Sequence, residues 1–248
     1  MKLFRGIDSF ENIGPVSVTV GSFDGVHAGH RSLISSLTAS ALSEGNRSLV
    51  VSFSPHPRVA LGRTEGFSLL SSEQERAELI AQAGVDAMLL IDFDLAFSQL
   101  SFEQFVESYL IKGVGMRELV VGYDHRLGHN AGGFDSISAL ASSLDFKATL
   151  AREFSIGDEH ISSTVIRDMI ASGDMESAMR LLGRPYLFIG EEVSSGVLRS
   201  HEPLKLLPPK GEYIALVNGV ECRVAVDEGC VLCNDVGGGG KIEFLKQI

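Results

Sequence analysis

The chain has 248 residues, a hydrophobic fraction of 44% and a formal net charge of -11. This length suits one large domain or a domain with a small appendage, and the apolar fraction excludes a disordered chain. The acidic balance excludes broad binding to nucleic acid or to anionic membranes, which needs a basic surface. The chain has no run near the ~20 apolar residues of a membrane span and no signal-peptide core at its start, so we expect a cytoplasmic protein.

The stretch from Val16 to His30, VSVTVGSFDGVHAGH, predicts a phosphate-binding turn. Its apolar run is typical of a buried strand, its glycines allow a tight turn, and a helical pattern begins at Ala28. The free N–H groups at that helix start favour an anion, and His27 and His30 have the spacing to reach one phosphate. The alternative is a pair of histidines that only cap a helix. The strand and turn before them favour nucleotide binding.

Apolar, β-branched runs alternate with helical patterns through the first three quarters of the chain. Strands are expected at Val16–Gly21, Ser48–Phe53, Ala87–Ile91, Glu118–Val121 and Phe146–Ala151. Helices are expected at Ala28–Ser43, Ser72–Ala83, Phe102–Lys112 and Phe134–Ser143. This alternation predicts an α/β fold with a parallel sheet, whose ligands bind beyond the carboxyl ends of the strands.

Two short helices should follow, the first capped by Ser163 or Thr164 and the second by Asp174. From Leu187 the period changes to short strands separated by turn residues, with an Asn-Gly hairpin signal at Asn218. These strands are expected at Leu187–Val193, Glu212–Val217, Val220–Val226, Cys230–Cys233 and Ile242–Leu245. We therefore expect a small antiparallel β module of about sixty residues, a size that is marginal for an independent fold.

Three further loops carry polar side chains that suit a ligand. Pro55 and Pro57 stiffen a loop around His56, although such a loop is equally a rigid connector. The segment GYDHRLG from Gly122 to Gly128 offers a carboxylate, an imidazole and a guanidinium, which solvated loop charges would also explain.

The segment ISSTVIR from Ile161 places hydroxyls at a helix start and an arginine one turn later. Ser163, Thr164 and Arg167 could hold phosphate groups, whereas ordinary capping with an exposed arginine is the simpler alternative for this segment alone. The cysteines at positions 222, 230 and 233 include a metal-like CxxC spacing. Without a fourth ligand they are interpreted as buried strand residues.

Taken together, these motifs resemble the bacterial bifunctional riboflavin kinase/FAD synthetase family over approximately residues 16 to 186. GSFDGVHAGH is close to that family's GNFDGVHxGH, and four further segments are similarly placed. They are FSPHPR (Phe53–Arg58), FSQLSFEQFV (Phe97–Val106), VVGYD (Val120–Asp124) and ISSTVIR (Ile161–Arg167). HxGH alone is shared with other nucleotidyltransferases and with class I aminoacyl-tRNA synthetases, but the five motifs in this order are much more specific.

The resemblance implies a Rossmann-like nucleotidyltransferase domain that converts FMN and ATP, with Mg²⁺, to FAD and pyrophosphate. It implies catalytic roles for His27, His30 and Arg167, and ATP contacts from these three. The other ATP-binding residues that it implies are Gly21, Ser22, Phe23, Asp24, Ser163 and Thr164. It places Pro55, His56, Pro57 and Asp124 on the flavin side.

Two departures from the family pattern shape the prediction. His125 and Leu127 stand where the family commonly has aromatic residues, and nothing after Tyr186 matches the kinase signature. We therefore expect an FMN adenylyltransferase domain at residues 1–186 and a reduced β-barrel module without kinase activity at residues 187–248. Two alternatives stay open: a nucleotidyltransferase that uses ATP or CTP with another phosphorylated substrate, and a non-catalytic nucleotide- or flavin-binding regulator.

Overall fold

The computed structural model describes residues 1–122, 133–157, 159, 161–233 and 239–248. These residues form two compact units. The first unit comprises Met1–Phe23, His30–Thr64 and Leu79–Phe154. The second comprises Asp24–Gly29, Glu65–Glu78 and Ser155–Ile248. Within the described part of the chain, no helix is both long and apolar enough to cross a membrane.

The first unit contains a six-stranded parallel sheet. Its strands are β1 (Lys2–Arg5), β2 (Val16–Val20), β3 (Arg47–Ser54), β4 (Ala87–Asp92), β5 (Met116–Val121) and β6 (Lys147–Leu150). They lie in the order β1-β4-β3-β2-β5-β6. All five residues of β2 are buried, as expected for a central strand of a parallel sheet. The predicted α/β fold is confirmed.

Helices lie between these strands and after the last of them. The described α-helices are α1 (Ala28–Glu44), α2 (Pro57–Ala60), α3 (Glu73–Gln82), α4 (Phe102–Phe105), α5 (Phe134–Leu144), α6 (Ser163–Ser172) and α7 (Met175–Leu182), and short 3₁₀ helices lie at Ile7–Ser9 and Phe97–Gln99. The helix expected over Phe102–Lys112 is α-helical only for its first turn. It continues as a π-helix from Val106 to Gly113, in which hydrogen bonds span five residues.

The second unit contains a closed antiparallel barrel of six strands. They are β7 (Tyr186–Ser194), β8 (Val197–Arg199), β9 (Gly211–Val217), β10 (Val220–Asp227), β11 (Cys230–Leu232) and β12 (Gly239–Gln247). Closure pairs every strand on both sides and leaves no open sheet edge. The expected β module is confirmed as a barrel, with Asn218 and Gly219 in the tight turn between β9 and β10.

Each unit has its own apolar core. In the first unit, strand residues such as Val18 and Leu49 pack with Leu110 and Ile137. In the second, Ile166 and Leu181 of helices α6 and α7 share one core with the barrel residues. These helices therefore belong to the same compact unit as the barrel, whereas the functional boundary expected between residues 186 and 187 stays a prediction.

Candidate functional site

The turn that follows β2 lies at the switch point of the sheet. β2 pairs with β3 on one side and with β5 on the other, so the strand order reverses at β2. In open α/β sheets, ligands bind in the crevice at such a point, beyond the carboxyl ends of the strands. The motif predicted to bind phosphate therefore begins where the topology favours a ligand.

This turn holds two buried side chains on a strained backbone. Phe23 has a φ of 50° and Val26 a φ of 39°, and each is only 1% exposed. A positive φ costs a non-glycine residue roughly 1–3 kcal/mol, and such residues cluster at functional sites. Gly25, between them, has a φ of 80°, and a Cβ there would lie 2.8 Å from Leu70 Cδ1. The turn thus needs glycine at this position.

Four predicted nucleotide-binding residues belong to the first unit: Gly21, Ser22, Phe23 and His30. The amide of Gly21 donates to the carbonyl of Val51 at 3.1 Å, which continues the sheet pairing one residue beyond β2. The carbonyl of Ser22 accepts the Ser52 hydroxyl at 3.1 Å. His30 is the third residue of α1 and meets the Phe23 ring edge-on, with 5.2 Å between the ring centroids. The structure therefore brings Phe23 and His30 together.

In the second unit, the Asp24 carboxylate is buried and fully engaged with protein donors. Oδ2 accepts the Leu70 amide at 3.1 Å. Oδ1 accepts the Ser71 amide at 2.9 Å and the Ser71 hydroxyl at 3.2 Å. Arg167 Nη2 donates to Oδ2 at 2.7 Å. We call Asp24, Ser68, Leu70, Ser71 and Arg167 the Asp24 cluster.

Arg167 has a fixed orientation within this cluster. Its Nε donates to the Ser68 carbonyl at 2.7 Å, and its guanidinium carbon lies 4.6 Å from the centre of the Phe67 ring. The side chain is 16% exposed. The simpler alternative, an exposed arginine in solvent, therefore does not describe this residue.

The hydroxyl-rich start of α6 contributes to the same turn. The expected cap at Ser163 or Thr164 is wrong, because Ser162 accepts the Val165 amide and caps the helix. Ser163 instead donates its hydroxyl to the Asp24 carbonyl at 3.0 Å, and Thr164 is exposed. The cap predicted at Asp174 for α7 is confirmed.

His27 lies directly before α1 and is 8% exposed. A Cβ at Gly29 would lie 3.3 Å from its Nδ1 atom, so the small residue at position 29 leaves room for the imidazole. In sum, the second unit brings Asp24, Ser163 and Arg167 together. That all nine predicted nucleotide-binding residues hold one triphosphate stays a prediction.

The residues predicted for the flavin side are described only in part. His56 caps α2, and its Nδ1 accepts the Arg58 amide at 3.2 Å. Pro57 is the first residue of that helix, where its missing N–H costs no hydrogen bond. Pro55 is exposed. Asp124, together with His125 and Leu127, lies outside the described residues.

An aromatic cluster in the first unit was not predicted from the sequence. Phe53, near the end of β3, contacts Phe93 and Phe97, with ring centroids 5.3 and 5.8 Å away. Phe97 in turn contacts Phe105 at 5.6 Å and Tyr109 at 5.1 Å. Phe93 directly follows β4, so the cluster begins at the carboxyl ends of two neighbouring strands. Aromatic residues placed directly at strand ends were the available signal.

The described residues contain no group of three or more histidine, cysteine, aspartate or glutamate side chains that could hold a metal ion. The three cysteines are free thiols, with Cys230 and Cys233 buried and Cys222 half-buried. Asp24 already binds four protein donors. A resident metal site therefore has no support in the described donor set.

The comparisons with known proteins agree with one another. The sequence profile of the family described as FAD synthetase matches residues 10–165. A relative from Escherichia coli, the bifunctional riboflavin kinase/FMN adenylyltransferase, is 30% identical over 232 residues, covering 89% of this chain and 74% of the relative. The same-named relative from Listeria monocytogenes is 35% identical over 182 residues, covering 72% of this chain and 57% of the relative.

A solved structure supports the fold. The crystal structure described as a macrolide-efflux protein from Streptococcus pneumoniae matches with a TM-score of 0.84 at 22% identity, covering 100% of this chain and 90% of that chain. An identity this low supports the architecture and carries no function. The profile match spans more than half of the residues and includes the whole turn after β2, and the relatives carry the same name. The chain belongs to the FAD synthetase family.

Proposed function

We propose that this chain transfers AMP from ATP to FMN and so forms FAD and pyrophosphate. A phosphate oxygen of FMN attacks the α-phosphorus of ATP, a new phosphorus–oxygen bond forms, and the bond to the bridging oxygen of the pyrophosphate breaks. The FMN phosphate is already a nucleophile, so the protein needs to align the two substrates and stabilise the developing charge. The chain is thus a nucleotidyltransferase.

The observation that carries this proposal is the family match over residues 10–165. It covers the turn after β2 and extends to Val165, two residues before Arg167. The relatives named FMN adenylyltransferase span most of the same chain. The strained turn at the sheet's switch point supports a ligand at this place.

The residues divide into those that contact ATP and those that hold the turn. His27 and His30, beside the first N–H groups of α1, are proposed to bind the ATP phosphates, where the helix dipole favours negative charge. Asp24 is proposed to hold the turn, because its carboxylate binds the protein and would repel a phosphate. A guanidinium has five N–H donors, and Arg167 uses Nε and Nη2 within the cluster. Its Nη1 is proposed to contact the departing pyrophosphate.

Mg²⁺ is proposed to enter as part of the ATP substrate. Its preference for phosphate oxygens and retained waters suits a site without a dedicated protein cage. The residues assigned to the phosphates are two imidazoles and an arginine, which hydrogen-bond the phosphates and leave the cation to the triphosphate oxygens.

The flavin is proposed to bind beside Pro55, His56 and Pro57, with Asp124 at the same side. The aromatic cluster supports this placement, because Phe53 lies two residues before Pro55 and aromatic faces suit a flat ring. The barrel, in the proposed module at residues 187–248, is proposed to lack riboflavin kinase activity, since the kinase signature is missing from the sequence after Tyr186.

A screen of acceptors tests the proposal. Purified protein is incubated with ATP or CTP, Mg²⁺ and FMN, riboflavin or other phosphorylated acceptors, and pyrophosphate release and flavin products are measured. We expect pyrophosphate and FAD with ATP and FMN, and no FMN from riboflavin and ATP. If no FAD forms but pyrophosphate is released in the presence of another acceptor, the result would favour a different nucleotidyltransferase. If no acceptor gives pyrophosphate release, the result would favour a non-catalytic binding protein.

A further inference from the structure

We propose that Lys205, in the segment between barrel strands β8 and β9, is a positioning residue for the nucleotide turn. The residue lies 40 positions beyond the end of the family match at residue 165, in the module that has lost the kinase signature. The inference rests on the proposed adenylyltransferase function and explains what the barrel contributes to it. Every contact that carries it lies within the second unit.

Lys205 forms a buried ion pair with Glu75. Its Nζ lies 2.7 Å from Glu75 Oε2, and the two side chains are 1% and 0% exposed. Glu75 Oε2 also accepts the Ser72 amide at 2.9 Å, and Oε1 accepts the Ile189 amide of β7 at 2.7 Å. Such a pair persists only when further hydrogen bonds offset the loss of water around both charges, and this pair has them.

The ammonium group of Lys205 also binds two backbone carbonyls, one of Leu70 and one of barrel strand β7. Nζ donates to the Leu70 carbonyl at 2.6 Å and to the Leu187 carbonyl of β7 at 2.8 Å. It also lies 4.2 Å from the centre of the Tyr186 ring. One side chain therefore links the barrel wall to the segment that contains Leu70.

Two backbone hydrogen bonds fix the register of this link. The Leu69 amide donates to the Leu204 carbonyl at 2.7 Å, and the Leu206 amide donates to the Leu69 carbonyl at 2.8 Å. Residues 69 and 205 thus pair as a short parallel bridge. The segment at Leu69 and Leu70 is therefore held by two backbone hydrogen bonds to residues 204 and 206 and by the side chain of Lys205.

That segment in turn holds the nucleotide turn. The Leu70 and Ser71 amides bind the Asp24 carboxylate, and the Ser71 hydroxyl accepts the Gly25 amide at 2.9 Å. The Ser68 carbonyl accepts Arg167 Nε. A shift of this segment would move both the Asp24–Gly25 backbone and the Arg167 guanidinium. We infer that Lys205 sets the position of the turn backbone and of Arg167, the residue assigned to the pyrophosphate, without touching ATP itself.

Steady-state kinetics on the full chain test this role. Lys205→Met removes the charge and the donors and keeps most of the apolar stem. Lys241→Met is the matched control, because Lys241 forms a 2.7 Å ion pair with Glu78, which lies on α3 as Glu75 does. The Lys241 side chain is 33% exposed, so this pair is not buried. Assays run well below each variant's melting temperature, with the folded state verified by circular dichroism. We expect kcat/KM for ATP to fall about 10- to 100-fold in Lys205→Met, on the scale of a misplaced binding group.

The pattern of constants separates positioning from stability. Positioning predicts a raised KM and Kd for ATP, an unchanged KM for FMN and normal constants in Lys241→Met. A Lys205→Met protein that melts earlier but binds and uses ATP like the wild type would overturn the inference. If that variant does not fold, Glu75→Gln, which keeps the shape and removes the charge, is measured by the same criteria. If the wild type forms no FAD, the proposed function fails, and calorimetric ATP binding by the same variants still decides the positioning role.

Discussion

Two buried carboxylates, one in each unit, show how differently the same group can be used. In the first unit, Glu118 of β5 accepts three hydroxyls: Ser17 at 2.6 Å, Ser40 at 2.7 Å and Thr149 at 2.7 Å. Lys147 lies 3.3 Å away. These residues, with Glu118, form the Glu118 cluster. In the second unit, Asp24 binds backbone amides and an arginine from segments 46 and 143 residues further along the chain.

The surroundings of the two carboxylates differ as much as their partners. Glu118 lies in the first half of strand β5, and its partner Ser17 lies opposite it on β2. Asp24 lies in a turn in which two other non-glycine residues, Phe23 and Val26, have positive φ. A buried carboxylate with satisfied hydrogen bonds is therefore not itself a sign of function. The strain of the backbone and the place in the sheet distinguish the turn.

Burial affects the Glu118 carboxyl in two opposing ways. Desolvation raises the pKa of Glu118, but the hydrogen bonds from Ser17, Thr149 and Ser40 and the charge of Lys147 outweigh it. The pKa of Glu118 therefore lies below its ordinary value. The Glu118 cluster stabilises the ionised carboxylate and gives stability that depends on pH.

The largest expected effect is on catalysis at the turn. His30→Ala should lower kcat for FAD formation by about 10²–10³-fold, the scale of losing one donor to the transition state. The measurement is the rate of FAD formation with saturating ATP and FMN. His201→Ala, which removes an exposed imidazole of the second unit, is the matched control and should retain the wild-type rate. An unchanged rate in His30→Ala would remove His30 from the catalytic set.

The next effect sharpens the contrast between the carboxylates. Asp24→Asn should lower kcat/KM for ATP by about 10²-fold, because the segment at Leu70 and Ser71 and the Arg167 guanidinium lose the carboxylate charge that they share. It should also destabilise the fold by about 3–5 kcal/mol, as when one partner of a buried pair is removed. Kinetics and urea unfolding of the same preparation measure both. A variant with normal ATP constants would show that Asp24 has a structural role only.

Glu118→Gln should change stability and leave activity alone. The amide keeps the size of the side chain but loses the charge that the hydroxyls and Lys147 stabilise, which should cost about 1–3 kcal/mol of unfolding free energy. The rate of FAD formation per folded molecule should stay within about twofold of the wild type, an effect below ~0.5 kcal/mol. A large loss of activity without a loss of stability would contradict the comparison.

The smallest effect is on the pH dependence of stability. Because the folded-state pKa of Glu118 lies below its ordinary value of 4.5, its contribution is fully present above that pH. It is lost as the pH falls through the folded pKa. Glu118→Gln should therefore lose less unfolding free energy than the wild type between neutral pH and acid, as followed by urea unfolding at several pH values. Parallel curves for the two proteins would refute the role given to this carboxylate.

The sequence predicted the local features of the fold well. The five expected strands of the sheet are present, and the most strongly apolar of them, such as β2 and β4, are buried along most of their length. The helix at Ala28 begins where its pattern starts. The edge strand at Lys2–Arg5 was missed, because four residues with charges at both ends carry little periodicity. The barrel strand at Val197–Arg199 was missed for the same reason, as it has only three residues.

The candidate site was predictable in its residues but not in their partners. The motif after β2 identified the turn, because glycines and histidines at that spacing are a local signal. The pairing of Asp24 with Arg167 joins positions 143 residues apart, and the link from Leu70 to Lys205 joins positions 135 residues apart. Contacts of this kind depend on tertiary packing, which the pattern of a single sequence does not encode.

The most direct test of the central claim follows the α-phosphorus of ATP. Protein, FMN, Mg²⁺ and ATP labelled at its α-phosphorus are incubated together, and the flavins and nucleotides are separated by chromatography. The proposed AMP transfer predicts the label in FAD, with one pyrophosphate released for each FAD formed. Label that stays in ATP or appears only in free AMP, with FMN recovered unchanged, would contradict it.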